Sequence, residues 1–258
     1  MSSTEDLIPL LKKLRLSGVL QSLELRTRQA VDDDTGHGEF LYRLLSDEVE
    51  RRDTKQLESR LRRANFESTR SLEDFDFHFN PEIPKAKIIE LATCSFVQRN
   101  ENVLLIGRTG VGKSHIAQAL GHRACRAGYH VLYVGASDML MSLRAARADA
   151  SYDKKLLRLT SPDLLVIDDL GLRPLVHDEA LDLYEIIRRR YEQGATVITS
   201  NRDVEEWYPL FGDALLASAA MDRLLHNAHT VIMDGDTYRN PPQAKRAKRG
   251  NGRAAAAG

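Results

Sequence analysis

Residues 102–114 read NVLLIGRTGVGKS and decide the fold of the chain. The run NVLLI has the near-continuous apolarity of a strand that is buried on both faces of a parallel sheet. The residues that follow match G-x-x-x-x-G-K-[ST], the P-loop, between a strand and a helix as the motif requires. Backbone N–H groups and the helix N-terminus would wrap phosphate oxygens, while Lys113 adds a charge and Ser114 a hydroxyl for Mg²⁺. The motif predicts a nucleoside triphosphate with Mg²⁺, held by Gly107, Arg108, Thr109, Gly110, Val111, Gly112, Lys113 and Ser114.

Short apolar runs recur along the chain and are separated by longer amphipathic intervals. This alternation is typical of βαβ units, in which helices cover both faces of a parallel sheet. We therefore predict an α/β domain whose parallel sheet is flanked by helices. Its predicted strands are Val103–Ile106, Val131–Val134, Leu164–Ile167, Ala195–Thr199 and Thr230–Met233.

Polar residues follow two of these strands. Asp168 ends the run LLVI, and a carboxylate there is costly unless it faces a cation, so we expect it to hold Mg²⁺. Asp169 takes the position where additional-strand P-loop ATPases keep the acid that orients the attacking water. Aspartate reaches about one methylene less far than glutamate, so we expect slow or partner-dependent hydrolysis. If the strand at 195–199 lies between the strands of the P-loop and of Asp168, then Asn201 falls at its tip, near the γ-phosphate.

Charge is distributed unevenly along the chain. The formal net charge is zero, with 37 basic and 37 acidic side chains, which alone would exclude a histone-like DNA-binding protein. Residues 241–258 carry five of the basic side chains and no acid, so the rest of the chain holds 32 basic against 37 acidic. This proline- and glycine-containing tail is predicted to be disordered. Its basic residues are Lys245, Arg246, Lys248, Arg249 and Arg253.

Three regions follow from these patterns. Residues 1–70 show helical apolar faces and predict a small all-α domain, residues 71–240 form the α/β domain, and residues 241–258 form the tail.

Cys94 and Cys125 lack the spacing of a zinc site or a disulfide framework. The N-terminus lacks the features of a signal peptide, and no apolar stretch approaches the roughly 18 residues that span a bilayer. We expect a soluble, cytoplasmic protein with no membrane partner.

Several stretches resemble the IstB-type transposition helper ATPases of bacterial insertion sequences, which are relatives of DnaC helicase loaders and DnaA initiators in the AAA+ superfamily. The resemblance covers nearly everything from Leu7 to Arg239 and rests on the P-loop, LLVIDDLG, VITSN and LASAAMDRLLHNAHTVIMDGDTYR. It implies an AAA+ fold without a C-terminal helical lid, and an ATP-driven homo-oligomer. It also implies that Arg223 is an arginine finger offered to a neighbouring subunit and that Arg239 is a nucleotide sensor. An ordinary helix-surface role stays open for both arginines.

The resemblance further implies duplex DNA and a cognate transposase as partners. A basic run at 51–70 and the segment between the second and third strands would suit DNA phosphates, although a solvated helix face explains either equally well. The few aromatic side chains there favour contacts to the DNA backbone over base readout. The candidates are Arg51, Arg52, Lys55, Arg62, Arg63, Arg144, Arg147, Lys154 and Lys155.

These patterns favour a Mg²⁺-dependent ATPase that regulates DNA transposition, slow alone and stimulated by DNA, oligomerisation or transposase. A DnaC-like helicase loader shares the same site and differs in its partner. A P-loop kinase for a small molecule is a different class, and the acid pair with Asn201 counts against it. A nucleotide-gated scaffold with little turnover is the third alternative.

Overall fold

The computed structural model describes residues 4–239, so the predicted basic tail at 241–258 lies outside the described residues. The chain divides into two compact units, one ending at Ser59 and one beginning at Arg60. The sequence placed this boundary after residue 70. The difference arises because residues 60–70 bond to the second unit: Arg60 Nε donates to the carbonyl of Cys125 at 3.0 Å, and the N–H of Ser68 donates to Gln118 Oε1 at 3.2 Å.

The N-terminal unit is helical, as predicted. Its elements are α1 (Thr4–Lys13), α2 (Ser17–Asp32) and α3 (His37–Ala64), the last of which continues past the unit boundary. Val19, Leu23 and Leu44 form its small buried core. Such a core contributes little compared with the large one of the second unit.

One buried acid ties α2 to α3. Glu48 is 4% exposed, and its Oε2 accepts hydrogen bonds from the N–H groups of Gly18 and Val19, while Arg52 pairs with Oε1 at 2.6 Å. Gly18 permits this approach, since a Cβ there would lie 2.7 Å from the Cα of Glu48. Burial alone would raise the pKa of Glu48, but Arg52 and the two N–H groups outweigh it and hold the pKa below its ordinary value.

The second unit is a five-stranded parallel sheet with helices around it, which confirms the predicted fold class. The strand order is β2-β3-β4-β1-β5, so β4 lies between the P-loop strand and the strand of Asp168, which is the condition on which the placement of Asn201 depended. Within the residues described, no helix follows β5, in agreement with the predicted lack of a lid. The elements are α4 (Lys85–Leu91), α5 (Ser95–Gln98), β1 (Asn102–Ile106), α6 (Lys113–Arg126), β2 (Val131–Gly135), α7 (Ala136–Ala148), α8 (Tyr152–Thr160), β3 (Leu164–Leu170), α9 (His177–Arg190), β4 (Ala195–Ser200), a 3₁₀ helix (Val204–Phe211), α10 (Ala214–Leu225) and β5 (Ala228–Ile232).

The central strands β1, β3 and β4 are buried on both faces of the sheet, which explains their continuous apolar runs, whereas the edge strand β5 is largely accessible. Leu104 and Ile198 belong to one cluster with side chains of α7 to α10, whereas Leu105 and Val197 alternate with them along the same strands and are also fully buried. Two short helices, α4 and α5, occupy residues 85–98. They are separate because Cys94 has a left-handed φ of 61°, which is incompatible with a continuing α-helix.

Candidate functional site

The carboxyl ends of β1, β3 and β4 meet at one edge of the sheet. Ser200, the last residue of β4, lies opposite Ile106 on one side and Leu170 on the other. The P-loop follows Ile106 and the acid pair lies just before Leu170, so the topology brings both to the same edge. This edge is where open α/β sheets bind their ligands.

The P-loop is packed between two other segments of the chain. Ideal Cβ atoms built on three of its glycines would lie 1.9 Å from Met233 O at Gly107, 2.1 Å from Thr237 Oγ1 at Gly110, and 2.5 Å from Phe75 Cε2 at Gly112. The backbone of residues 233–238 fastens the loop, because the N–H of Tyr238 donates to Gly110 O at 2.9 Å. At these three positions of the loop there is room for glycine and for no larger residue.

Lys113 begins α6 and lies almost fully buried at the base of this loop. It is 5% exposed, and its Nζ donates to the carbonyls of Gly107 at 2.7 Å and Arg108 at 2.9 Å. Burial lowers the pKa of Lys113, while the charges of Asp169 and Asp168 oppose that shift. A buried ammonium of this kind is stabilised by an anion, and the N-terminus of α6 favours one at the same place.

The two acids of β3 have different surroundings. Asp168 is 6% exposed, and its carboxylate accepts hydrogen bonds from the hydroxyls of Tyr133 and Thr199. Asp169 is exposed, lies at an irregularity of the β3–β4 pairing and has a left-handed φ of 57°, a conformation that Asp tolerates better than most residues. Although its surface is accessible, protein atoms around the carboxylate of Asp169 reduce its hydration, and this desolvation together with the neighbouring charge of Asp168 raises the pKa of Asp169. A raised pKa suits a carboxylate that accepts a proton.

A cleft of about 670 Å³ joins these groups. Its size and mixed lining suit a nucleotide. The donor set also fits Mg²⁺, which prefers one or two protein oxygen ligands and completes its shell with water and phosphate oxygens; Ser114 and Asp168 supply such ligands. The lining residues are Glu67, Ser68, Arg70, Asp74, Phe75, Asp76, Thr109, Gly110, Gly112, Lys113, Ser114, His115, Gln118, Gly135, Asp168, Asp169, Leu172, Tyr238 and Arg239.

The cleft gathers most of the nucleotide-site residues predicted from the sequence, but not all. Arg239 lines it, and its positive charge adds to the effect of burial in lowering the pKa of Lys113 and partly offsets the rise in the pKa of Asp169. Asn201 is exposed, and neither it nor Arg223 is among the lining residues of the described chain. Arg223 instead donates to Ala219 O at 2.7 Å within α10 and lies over the ring of Tyr184.

Aromatic side chains beside the P-loop were not assigned a role from the sequence. Phe75 contacts the rings of His115 at 5.2 Å and Tyr238 at 5.3 Å, centroid to centroid, and Phe79 contacts Tyr238 at 4.4 Å. The phenol of Tyr238 also donates to Asp76 O at 2.7 Å. The run FDFHF at 75–79 was the available signal, because three phenylalanines so close together favour burial against another part of the chain.

The candidate DNA-binding side chains differ in their surroundings. Three have partners within their own unit: Arg51 bonds Gln21 and Ser17, Arg52 pairs with Glu48, and Arg147 pairs with the buried Asp182 while lying 4.3 Å from the centroid of the Tyr152 ring. Lys155 is half-buried. The others are exposed: Lys55, Arg62, Arg63, Arg144 and Lys154.

Among the described residues, no helix is long and apolar enough to cross a membrane.

The chain is 42% identical over 230 residues to an ATP-binding protein of an insertion sequence from Mycobacterium tuberculosis, covering 89% of this chain and 92% of that protein. It is 36% identical over 234 residues to the ATP-binding protein of insertion sequence IS21 from Pseudomonas aeruginosa, covering 91% of this chain and 88% of that protein.

Solved structures share the fold at low sequence identity. The DnaC helicase loader superposes with a TM-score of 0.53 at 20% identity, covering 66% of this chain and 97% of that one. AMPPCP-bound DnaA from Aquifex aeolicus gives a TM-score of 0.55 at 21% identity, covering 67% of this chain and 52% of that one. The sequence model of one family, described as IstB-like ATP binding protein, matches residues 9–247. The chain therefore belongs to the IstB-like ATP-binding proteins, and it shares its α/β fold with DnaC and DnaA.

Proposed function

We propose that this protein is a Mg²⁺-dependent ATPase that regulates DNA transposition. ATP binding assembles subunits on duplex DNA, the assembly recruits or activates a transposase for target-site selection, and hydrolysis dissolves it. The observation that carries the proposal is the cleft in which the P-loop, the buried Lys113 and the pair Asp168–Asp169 meet. The insertion-sequence origin of the relatives at 42% and 36% identity supports transposition as the setting.

Binding of the triphosphate uses groups that are already in place. The P-loop N–H groups and Lys113 bind phosphate oxygens, and the carbonyls that now accept from Lys113 Nζ hold the ammonium in the loop. Ser114 and Asp168 would hold Mg²⁺, and the bound ion would neutralise part of the phosphate charge. Arg239, on the same cleft, is placed to respond to the bound nucleotide.

Hydrolysis requires a group that orients the attacking water. We assign this role to Asp169, because it is exposed to the cleft beside Asp168 and its pKa is raised. The shorter reach of aspartate favours a slow basal rate. Asn201, at the tip of β4, would contact the γ-phosphate or this water after local rearrangement of its exposed side chain.

Completion of the site requires a second subunit. Arg223 lies outside the cleft of its own chain, which is the arrangement expected of an arginine finger that acts on a neighbour. Breaking one hydrogen bond to Ala219 O and a cation–π contact with Tyr184 would release its guanidinium for that role. ATP would thereby promote a homo-oligomer, since the nucleotide bridges two subunits.

Surface charge and family membership support the proposed partners. Phosphate contacts from exposed basic side chains would give sequence-independent binding to duplex DNA. A DnaC-like helicase loader is the nearest alternative, favoured by the likeness to the DnaC fold alone. The insertion-sequence relatives are more similar to this chain, so we rank a transposase above a replicative helicase as the protein partner.

Phosphate release from Mg²⁺·ATP, measured with and without duplex DNA, tests this function. We expect slow release that DNA accelerates and that Asp169→Ala abolishes, while a fluorescent ATP analogue still binds the variant. Asp163→Ala is the matched control, because Asp163 precedes the same strand at its other end. ATP turnover unchanged by Asp169→Ala would refute the assignment, and binding without turnover in the unmodified protein would indicate a nucleotide-gated scaffold.

A further inference from the structure

A single hydroxyl on β4 contacts both acids of the site. Thr199 is fully buried, its Oγ1 donates a hydrogen bond to Asp168 Oδ1, and the same oxygen accepts the N–H of Asp169 at 2.8 Å. A threonine hydroxyl has one hydrogen to donate and lone pairs to accept, so both bonds form at once. Thr199 therefore connects the carboxylate of one acid to the backbone of the other.

The second oxygen of Asp168 is held from the opposite side. Tyr133 lies on β2 and is 1% exposed, and its phenol donates to Asp168 Oδ2 at 2.5 Å. Because β2 and β4 flank β3, the carboxylate is fixed between hydroxyls from both neighbouring strands. Charge-assisted hydrogen bonds of this kind are stronger than neutral ones and fix geometry where water is excluded.

We propose that Thr199 and Tyr133 are positioning residues for ATP hydrolysis, in which Thr199 sets the orientation of Asp169 relative to Asp168 and both hydroxyls fix Asp168. This proposal rests on the proposed function. Asp169 interrupts the regular pairing of β3 with β4 and has a left-handed backbone conformation. The orientation of its exposed carboxylate is therefore set by the conformation of its backbone. The bond from its N–H to Thr199 anchors that backbone. Losing the hydroxyl leaves this N–H unpaired and lets the irregular segment relax.

The chain offers matched controls for both side chains. Thr196 lies on the same strand, at the end remote from the cleft, and its hydroxyl accepts from Arg190 Nε at 3.1 Å. Tyr152 donates its phenol hydrogen to the buried Asp182 at 2.6 Å, away from the cleft. Each control substitution removes a hydroxyl that forms a hydrogen bond with a buried side chain, and neither hydroxyl contacts Asp168 or Asp169.

The first experiment compares Thr199→Val, Thr199→Ser and Thr196→Val. Valine keeps the shape of threonine and removes the hydroxyl, so we expect kcat to fall about 10- to 100-fold, the range that one or two lost buried hydrogen bonds convert to, with KM nearly unchanged. Thr199→Ser should restore kcat to within about threefold, and Thr196→Val should leave it unchanged. A kcat for Thr199→Val within threefold of the unmodified protein would overturn the proposal, as would equal losses in Thr199→Val and Thr196→Val.

The second experiment measures nucleotide binding instead of turnover. The dissociation constant of a fluorescent ATP analogue is determined in Mg²⁺ and in EDTA for the unmodified protein and for Thr199→Val, Tyr133→Phe and Tyr152→Phe. We expect the Mg²⁺-dependent gain in affinity to shrink in the first two variants and to persist in Tyr152→Phe, with equal affinities in EDTA. Equal gains in all four proteins would refute the role of these hydroxyls at Asp168.

The two experiments separate the inference from the proposed function. If the unmodified protein binds Mg²⁺·ATP but does not hydrolyse it, the function fails, while a lost Mg²⁺ gain in Tyr133→Phe still supports positioning of Asp168. If the unmodified protein hydrolyses ATP and the Thr199 and Tyr133 variants match it in both assays, the function stands and the positioning role is wrong. Circular dichroism of each variant confirms that it is folded.

Discussion

Replacing Gly112 by alanine probes how tightly the P-loop is enclosed. Gly112 precedes α6 with a left-handed backbone, φ 100° and ψ 13°, and a Cβ there would lie 2.5 Å from Cε2 and 3.0 Å from Cζ of Phe75. Two costs follow. The backbone conformation is strained for alanine, and the ring of Phe75, itself packed on His115 and Tyr238, must move.

The magnitude can be estimated from these two terms. A left-handed backbone costs a non-glycine residue about 1–2 kcal/mol, and inserting a methyl into a packed site costs about 1–3 kcal/mol more, so Gly112→Ala should destabilise the second unit by about 2–5 kcal/mol. Gly128 is the matched control. Its φ is 102° and no atom lies within 4 Å of its ideal Cβ, so Gly128→Ala should cost only the backbone term, about 1–2 kcal/mol.

Urea unfolding followed by tryptophan fluorescence gives the required free energies. Trp207 is the single tryptophan of the chain and lies buried in the second unit, so its emission reports that unit. In a Phe75→Ala background the additional cost of Gly112→Ala should fall to that of Gly128→Ala, because the ring is gone. Equal destabilisation by Gly112→Ala and Gly128→Ala in the unmodified background would refute the claim that Phe75 closes over the loop.

Two further predictions concern charge. The pKa of Glu48 is held below its ordinary value of 4.5, so its contribution to stability is complete above that pH and is lost as pH falls through the lower, folded pKa. Glu48→Gln should therefore flatten the acid side of the stability profile measured by circular dichroism, and an unchanged profile would contradict the pairing with Arg52. Truncation after Arg239 removes five basic side chains and should reduce the slope of log affinity for DNA against log salt by about 4–5 while sparing ATP binding. An unchanged slope would make the tail a passive segment.

The strands could be predicted because their signals are local and repeated. A strand buried on both faces must be apolar throughout, and all five predicted runs overlap strands, although the last is shifted by one or two residues at each end. Polar signals mark the ends of three strands, at the P-loop, Asp168 and Asn201, and the structure meets the condition that β4 lies between the other two. Each of these signals depends on residue types at fixed spacing, which a single sequence displays.

The hydroxyls of Tyr133 and Thr199 could not be recognised in the same way. Tyrosine and threonine are ordinary strand residues, so VLYVG and ATVITS indicate strands and nothing more. Their bonds to Asp168 depend on the register between β2, β3 and β4, which is a long-range property. The same holds for Arg147, whose partner Asp182 is 35 residues away and on another helix.

The break at Cys94 and the placement of Arg223 had other causes. The periodicity of 85–99 is helical on both sides of Cys94, and one left-handed residue inside it leaves no compositional trace. Arg223 was assigned to a neighbour's nucleotide through family resemblance, because a role in another subunit leaves no signal in the periodicity or spacing of a single sequence.

Assembly on DNA tests the central claim most directly. The unmodified protein and Lys113→Ala, each mixed with duplex DNA and either ATP or ADP, are imaged by electron microscopy. Lys113 holds the P-loop carbonyls and faces the phosphate site, so its loss should prevent ATP from completing the cleft. We expect oligomers on DNA for the unmodified protein with ATP, few or none with ADP, and none for Lys113→Ala with either nucleotide. DNA-bound oligomers formed equally well by Lys113→Ala would contradict this expectation.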